Sequence, residues 1–517
     1  MGRIVQSGRV FRFIVGATAV LFGTALMSFA AGQQEAETEA VDQSPLVVIQ
    51  GAEPPGLDPS LHREGPTYNV TINVFDSLLR KTRDGRNVPA LAERFERDGD
   101  SAWIFHIRPG VTFHNGEELN AEAVRFTIDR IFDEELGSTR GADLEWLRNV
   151  EVIDDMTVRI EAEEPFALAE HYFTELQILP PGYIAEVGNE AFNEQPVGTG
   201  PFQVVQWDRG NRIVLERNED YWRRNVDIAE LEFRFIESGS SRVATLLGGE
   251  ADLITDPPIA ARDRIENTPG TEFATATGTR VMFVGLDATQ DSPVSDPLVR
   301  QAMNYAVDTE AIVDNLIFGL GEVTTAHLTE ADFGYNADVS PYPYDPDRAR
   351  ELLAEAGYED GFTVTLDITS GRYINDTEVA ESIAGFLGDV GITVNVEVFE
   401  FGAFNDRLFG KQTSPMYLVG WGNPVFDAAY IYDFTAQTGS LLRSIENEEI
   451  DSLLARARTT TDQEVRLEAF QEAVRLINEA APAIFLYKQP VIFGMSERLM
   501  WEPRSDEFLD MSDASFR

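Results

Sequence analysis

From Pro45 to the C-terminus, strand-type and helix-type apolar periods follow one another irregularly and without an internal repeat. That mixture leaves a mixed α/β architecture with many strands and rules out a simple βαβ array. SPLVVIQG is a buried strand, TYNVTINVFDSLLR carries helical spacing, and WIFHIRPGVTF reads as a strand pair about Pro109-Gly110. Asn120 caps AEAVRFTIDRIFDEE, in which Val124, Ile128 and Ile131 share a face. In the second half, TGTRVMFVGLDATQ is a strand of buried character. Asp296-Pro297 and Asp345-Pro346 each place a capping carboxylate before a proline at the first helical position, and Gly357 stops the second helix. A strand at FTVTLDIT, a helix at DTEVAESIAGFLGDVG, a strand at ITVNVEVFE and a loop-rich stretch, GWGNPVFDAAYIYDF, come next. A long helix, QEVRLEAFQEAVRLINEAA, leads to a final strand at AIFLYKQPVIFGM.

The 517 residues, 43% of them hydrophobic, suffice for packed cores in two or three domains. The first 31 residues stand apart. Arg3, Arg9 and Arg12 precede the apolar run FIVGATAVLFGTALMSFA, and small residues follow it, the order of a secretory signal peptide. The run is long for that purpose, so a retained N-terminal membrane anchor is the alternative. Residues 32–44, GQQEAETEAVDQS, read as an acidic disordered tether.

There is no cysteine, which removes disulfides, thiolate catalysis and lipid attachment to an N-terminal Cys. With 88 Asp plus Glu against 41 Lys plus Arg, the formal charge is −47, the wrong sign for a nucleic-acid partner. Lys81, Lys411 and Lys488 are the only lysines. A surface so rich in carboxylates stays soluble where salt screens its self-repulsion, which fits a saline habitat; lineage composition accounts for it equally well.

The segment QPVGTGPFQVVQWDRGNRIVLER contains a G-x-G, but Pro201 and an alternating strand follow the glycines, where a phosphate loop needs a helix N-terminus. It reads as strand, turn and strand, so Gly198 and Gly200 are scaffold. None of the five histidines forms a metal-type pair, and no nucleophile elbow, Walker loop or kinase motif occurs. No residue pattern argues for an enzyme, a cofactor or a metal.

Three blocks taken together resemble one family. VPALAERFERDGDSAWIFHIRPGVTFHNGEELNAEAVRFTIDRI, VGTGPFQVVQWDRGNRIVLERNEDYW, and VRQAMNYAVDTEAIVDNL with DPDRARELLAEAGY are similar, in order and spacing, to the extracellular solute-binding proteins of family 5. These serve ABC importers of peptides, nickel and some oligosaccharides. The resemblance implies a bilobed class II periplasmic-binding-protein fold with an extra subdomain in the N-terminal lobe. Lobe I would take residues 45–280, with an inserted subdomain at about 80–195, and lobe II residues 281–485. Residues 486–517 would return to lobe I. Crossings between the lobes fall near Thr277 to Phe283 and Ile484 to Gln489.

The resemblance further implies an extracytoplasmic protein that delivers its ligand to the transmembrane subunits of a permease. A peptide needs a cation for its carboxylate and an anion for its ammonium. By resemblance, Arg372 in TSGRYINDTEV takes the carboxylate and Asp427 the ammonium, although Asn423-Pro424-Val425 interrupts the family's usual Asp-Pro-Asp type run. Trp421 and Tyr417 are candidate pocket walls, which suit sugars as well as peptides. Glu53 is a further candidate, in the loop after the first strand. The alternatives are an oligosaccharide binder, a nickel binder, disfavoured by so few histidines, and a secreted hydrolase on another scaffold.

Overall fold

The computed structural model describes residues 44–517 except Arg63, Asp84, Thr139, Arg443 and Ser444. The signal or anchor segment 1–31 and the tether, apart from Ser44, lie outside the described residues. Among the described residues no helix is long and apolar enough to cross a membrane.

The backbone is organised by one eleven-stranded sheet. Its order is Ile392–Phe399, Phe362–Thr369, Met416–Gly422, Thr271–Leu286, Ala483–Ser496, Leu253–Thr255, Leu46–Gln50, Glu230–Phe235, Arg212–Arg217 and Phe202–Asp208, with Glu322–Val323 also pairing on Ala483–Ser496. The two longest strands, Thr271–Leu286 and Ala483–Ser496, are antiparallel neighbours in the middle. Their register shifts between Thr277 and Val281.

The core changes partner at that irregularity. Ala274, Val491, Phe493 and Met495 pack with Leu46, Val48, Phe233 and Leu253, whereas Met282, Val284, Ile484 and Leu486 pack with Leu366, Ile383 and Met303. The same two strands thus belong to separate cores toward the two ends of the sheet, and Val281, Phe283 and Phe485 join a third. Each buried Val, Leu or Ile contributes about 1.5–3 kcal/mol by leaving water, so these cores are held by hydrophobic burial without disulfides.

A second sheet, of strands Ala92–Arg97, Ala102–Ile107, Thr157–Ala162 and Leu147–Asp154, carries its own core around Trp103, Phe105 and Phe173. Helix Ala121–Ile131 covers it, and the Asn120 side chain accepts from Ala123 N at 3.0 Å as its cap. Asp296 and Asp345 cap helices Pro297–Ala306 and Pro346–Glu355 in the same manner.

Three local expectations are corrected. In TYNVTINVFDSLLR the helix covers only Gly65–Thr71, and Leu79–Lys81 is a strand. Asn73 draws the chain out of helical spacing, donating to the carbonyls of Asn69 and Leu509 and accepting from Met511 N, each at 2.8 Å. After Ala102–Ile107 the chain turns at Gly110 (φ 76°), and Thr112 only bridges to Glu118, so no second strand forms there. The stretch GWGNPVFDAAYIYDF ends strand Met416–Gly422 and then forms helix Ala428–Thr435.

Strands Phe202–Asp208 and Arg212–Arg217 pair about Gly210 (φ 75°), the strand-turn-strand expected. Gly198 and Gly200 are required by close packing and not by turn geometry. A Cβ on Gly198 would sit 2.1 Å from the Val74 oxygen, and one on Gly200 2.5 Å from the Val74 carbonyl carbon.

Candidate ligand-binding site

A cavity of about 700 Å³ opens between loops and helices of the chain before residue 180 and strands Thr271–Leu286 and Met416–Gly422 with the loops beside them. Tyr68, Arg140 and Glu175 line it from before residue 180, and Arg280, Arg372 and Trp421 from the later chain. The volume lies within the roughly 300–1,000 Å³ common for small-molecule sites.

Arg372 sits between strand Phe362–Thr369 and helix Asp376–Asp389, in a loop fixed from beneath. The buried Asp376 carboxylate accepts from the backbone N–H groups of Gly371, Arg372, Tyr373 and Thr377 at 3.0–3.2 Å. The Arg372 side chain opens into the cavity, with its guanidinium over the rings of Tyr373 (5.3 Å) and Phe401 (5.4 Å). Among the described residues it has no carboxylate within ion-pair distance. The surrounding protein, and then the charge of Arg280, hold its pKa below the ordinary arginine value.

Arg280 donates to Gly420 O at 3.2 Å and lies 3.6 Å from Glu507. Arg280 thus has one half-exposed carboxylate as its partner, and the Arg372 guanidinium is near enough to feel the charge of Arg280. The glycine of the GW pair makes room for both arginine neighbourhoods. A Cβ on Gly420 would lie 2.4 Å from the Met282 sulfur and 2.9 Å from the Tyr373 ring.

Trp421 lines the cavity and packs on Phe434 (5.3 Å between centroids), which meets Tyr430 edge-on at 5.2 Å. Tyr68 and Phe508 form another aromatic pair on the lining, 4.4 Å apart. Lys81, pushed down to about 8 by burial, donates to the carbonyls of Pro424 (2.8 Å) and Val425 (3.1 Å). Strand Leu79–Lys81 is thereby tied to the segment that follows Trp421.

Of the five residues singled out in the sequence, the structure brings Arg372 and Trp421 together on this lining; Asp427, Tyr417 and Glu53 are elsewhere. Asp427 accepts both oxygens' worth of Arg466 Nη2 at 2.9 Å and caps helix Ala428–Thr435 through Ala429 N, so its charge is already matched within the protein. Tyr417 is buried, donates to Leu442 O at 3.2 Å and packs across Gly285. Glu53 accepts from Trp207 Nε1 and Gly210 N, which ties its loop to the hairpin.

The carboxylates that do line the cavity are Asp143, Glu175, Asp506 and Glu507. Asp506 is held by Arg504, while Glu175 has His171 Nε2 at 3.4 Å. Arg280, Glu175 and Glu507 were missed in the sequence because nothing local distinguishes them among so many charged residues. Among the described residues no cluster of three or more His, Asp or Glu side chains is arranged to hold a metal ion.

A mixed sheet crossed by two long shared strands, with a ligand-sized cavity lined from both parts of the chain, defines a binding protein of the periplasmic class. Residues 86–440 match the family model described as the middle region of bacterial extracellular solute-binding proteins, family 5. The chain is 28% identical over 506 residues to heme-binding protein A of Haemophilus influenzae, covering 91% of this chain and 92% of that one. It is 28% identical over 481 residues to the dipeptide-binding protein of Escherichia coli K12, covering 86% and 90%. The solved structure of the ABC transporter-associated periplasmic binding protein DppA from Helicobacter pylori, in complex with the peptide STSA, superposes with a TM-score of 0.74 at 25% identity, over 92% of this chain and 98% of that one. The chain belongs to family 5 of the bacterial extracellular solute-binding proteins, a family of binding proteins with the periplasmic-binding-protein fold.

Proposed function

We propose that this protein captures a short peptide for an ABC importer and hands it to the transmembrane subunits of a permease. The observation that carries the reading is the Arg372 guanidinium, which opens into the cavity with no carboxylate within ion-pair distance among the described residues. A peptide C-terminal carboxylate fits it as a charge-assisted partner. Glu175, the lining carboxylate not held by an arginine, takes the terminal ammonium in place of Asp427. Trp421 and the Tyr68–Phe508 pair provide sequence-tolerant walls. The dipeptide-binding relative and the peptide-bound neighbour support the substrate class.

In this reading residues 45–280 with 486–517 form one lobe, 281–485 the other, and hinge motion at the shared strands encloses the ligand. The change of core at the register shift supports that division. The N-terminal segment directs the chain out of the cytoplasm, and binding proceeds without turnover. Calorimetry with a short peptide and its C-terminal amide tests the reading: the free acid binds strongly and the amide weakly. Equal binding of acid and amide removes Arg372 as the anchor. Hexose increments in the native mass of protein purified without denaturation point to an oligosaccharide instead.

A further inference from the structure

A second, smaller cavity of about 70 Å³ shares Tyr68, Glu175, Gln177, Pro424 and Phe508 with the main one, so it is a side pocket of the same space. A water molecule needs about 10–15 Å³ of such space, so the pocket has room for a small polar group such as a carboxylate. Four cations line it: Arg80, Lys81, Arg223 and Arg504. Three are engaged by the protein. Lys81 donates to the Pro424 and Val425 carbonyls, Arg504 pairs with Asp506, and Arg223 donates to Ser512 Oγ at 3.0 Å.

Arg80 has no acceptor among the described residues. It is exposed on strand Leu79–Lys81 and lines the pocket together with Arg223. Gln177 adds an independent sign. Its side chain is 3% exposed, it lines both cavities, and its Nε2 has no acceptor among the described residues. A buried donor without a partner is destabilising, and an acceptor on a ligand relieves that penalty.

The pocket's own carboxylates do not meet this need. Asp76 accepts from Tyr221 (3.1 Å), Trp222 (2.9 Å) and Thr199 (3.1 Å), and Asp510 accepts from Ser512 N at 3.0 Å. Gln177 Nε2 thus remains a buried donor without an acceptor among the described residues, and the exposed Arg80 cation stands on the same lining. Glu175 stands where the two cavities join.

We propose that the side pocket receives the carboxylate of an acidic side chain on the first residue of the bound peptide, so that the protein prefers peptides beginning with Glu or Asp. Arg80 is the ionic partner and Gln177 the neutral donor, while the same residue's ammonium meets Glu175. The proposal rests on the peptide reading above.

The test is calorimetry of the full chain with Ala-Ala, Glu-Ala, Gln-Ala and Lys-Ala, on wild type, Arg80→Ala and Gln177→Leu. Wild type binds Glu-Ala ten- to thirtyfold more tightly than Gln-Ala. Arg80→Ala reduces that ratio to within twofold and leaves Ala-Ala affinity unchanged; Gln177→Leu reduces it less. Equal binding of Glu-Ala and Gln-Ala by wild type, a ratio that survives Arg80→Ala, or a preference for Lys-Ala overturns the pocket proposal alone, provided Ala-Ala binds. If none of the four peptides binds, the peptide reading falls and the proposal with it.

Discussion

Arg372 and Arg466 are the same side chain in two opposite situations. Both guanidiniums lie over aromatic rings, Arg372 over Tyr373 and Phe401, Arg466 over Phe333 and Phe470. Arg466 is 2% exposed, holds both oxygens of Asp427 and donates to Ala457 O at 3.1 Å. Arg372 has the rings and the cavity, and no carboxylate. An arginine whose partner is internal is scaffold, and one whose partner is missing is available to a ligand. The aspartate that the family pattern offered for recognition belongs to the first kind.

The largest effect expected from this contrast is on stability. Asp427→Ala leaves Arg466 buried and unpaired, which costs about 3–5 kcal/mol in denaturant unfolding. The affinity of the folded fraction stays as it was. A loss of affinity with unchanged unfolding would instead put Asp427 in contact with ligand and erase the distinction.

Arg372→Ala reverses the pattern. Removing the anchor of a desolvated carboxylate costs about 2–5 kcal/mol of binding, or roughly thirtyfold to several thousandfold in affinity for the free acid. Unfolding free energy changes by no more than about 0.5 kcal/mol, as for other substitutions outside packed or paired positions. Arg372→Lys restores binding only in part, because an ammonium lacks the planar fork.

Gly200→Ala belongs with the scaffold side of the comparison. The added Cβ meets the Val74 backbone, and overpacking of this kind costs about 1–3 kcal/mol without altering affinity. Tenfold weaker binding at unchanged stability would return the G-x-G segment to a ligand role.

The effect that is smallest near neutral pH is a pH dependence in the same segment. His114 Nδ1 accepts from Gly198 N at 3.3 Å, and Nε2 donates to Gly200 O at 3.0 Å, which fixes one neutral tautomer; burial pushes its pKa down to about 4. The unfolded chain protonates near pH 6.5, above the folded value. The stability of the neutral form is therefore complete above 6.5 and lost as pH falls toward 4, by about 1 kcal/mol per pH unit. His114→Gln lowers stability at pH 7.5 and shows less of that slope; an unchanged slope assigns it to other groups.

The elements that local chemistry specifies were legible in the sequence. Proline after a capping aspartate marked helices Pro297–Ala306 and Pro346–Glu355, and the DRGN turn marked the hairpin of Phe202–Asp208 and Arg212–Arg217. The position of Arg372 on the cavity lining was legible because its loop has a recognisable sequence. Asp427 was misleading, since its partner lies 39 residues further on and only the folded chain brings them together. The side pocket was invisible for the same reason: Arg80, Gln177 and Arg223 meet across segments that no spacing rule connects. Gly198 and Gly200 were assigned to scaffold for turn geometry, whereas the approach of the Val74 carbonyl is what excludes a side chain.

The Asp376 carboxylate, with four backbone N–H groups converging on it, bears on the timing of capture. A loop that had to order itself around each arriving ligand would slow association and lose part of the interaction to that ordering. Here the loop is already set, so in the proposed peptide reading Arg372 meets the carboxylate at the first encounter. Ligands that differ at their carboxylate end will arrive at similar rates and differ in how long they stay. If the proposed hand-over to a permease holds, residence time is the quantity this one buried aspartate leaves free to be tuned.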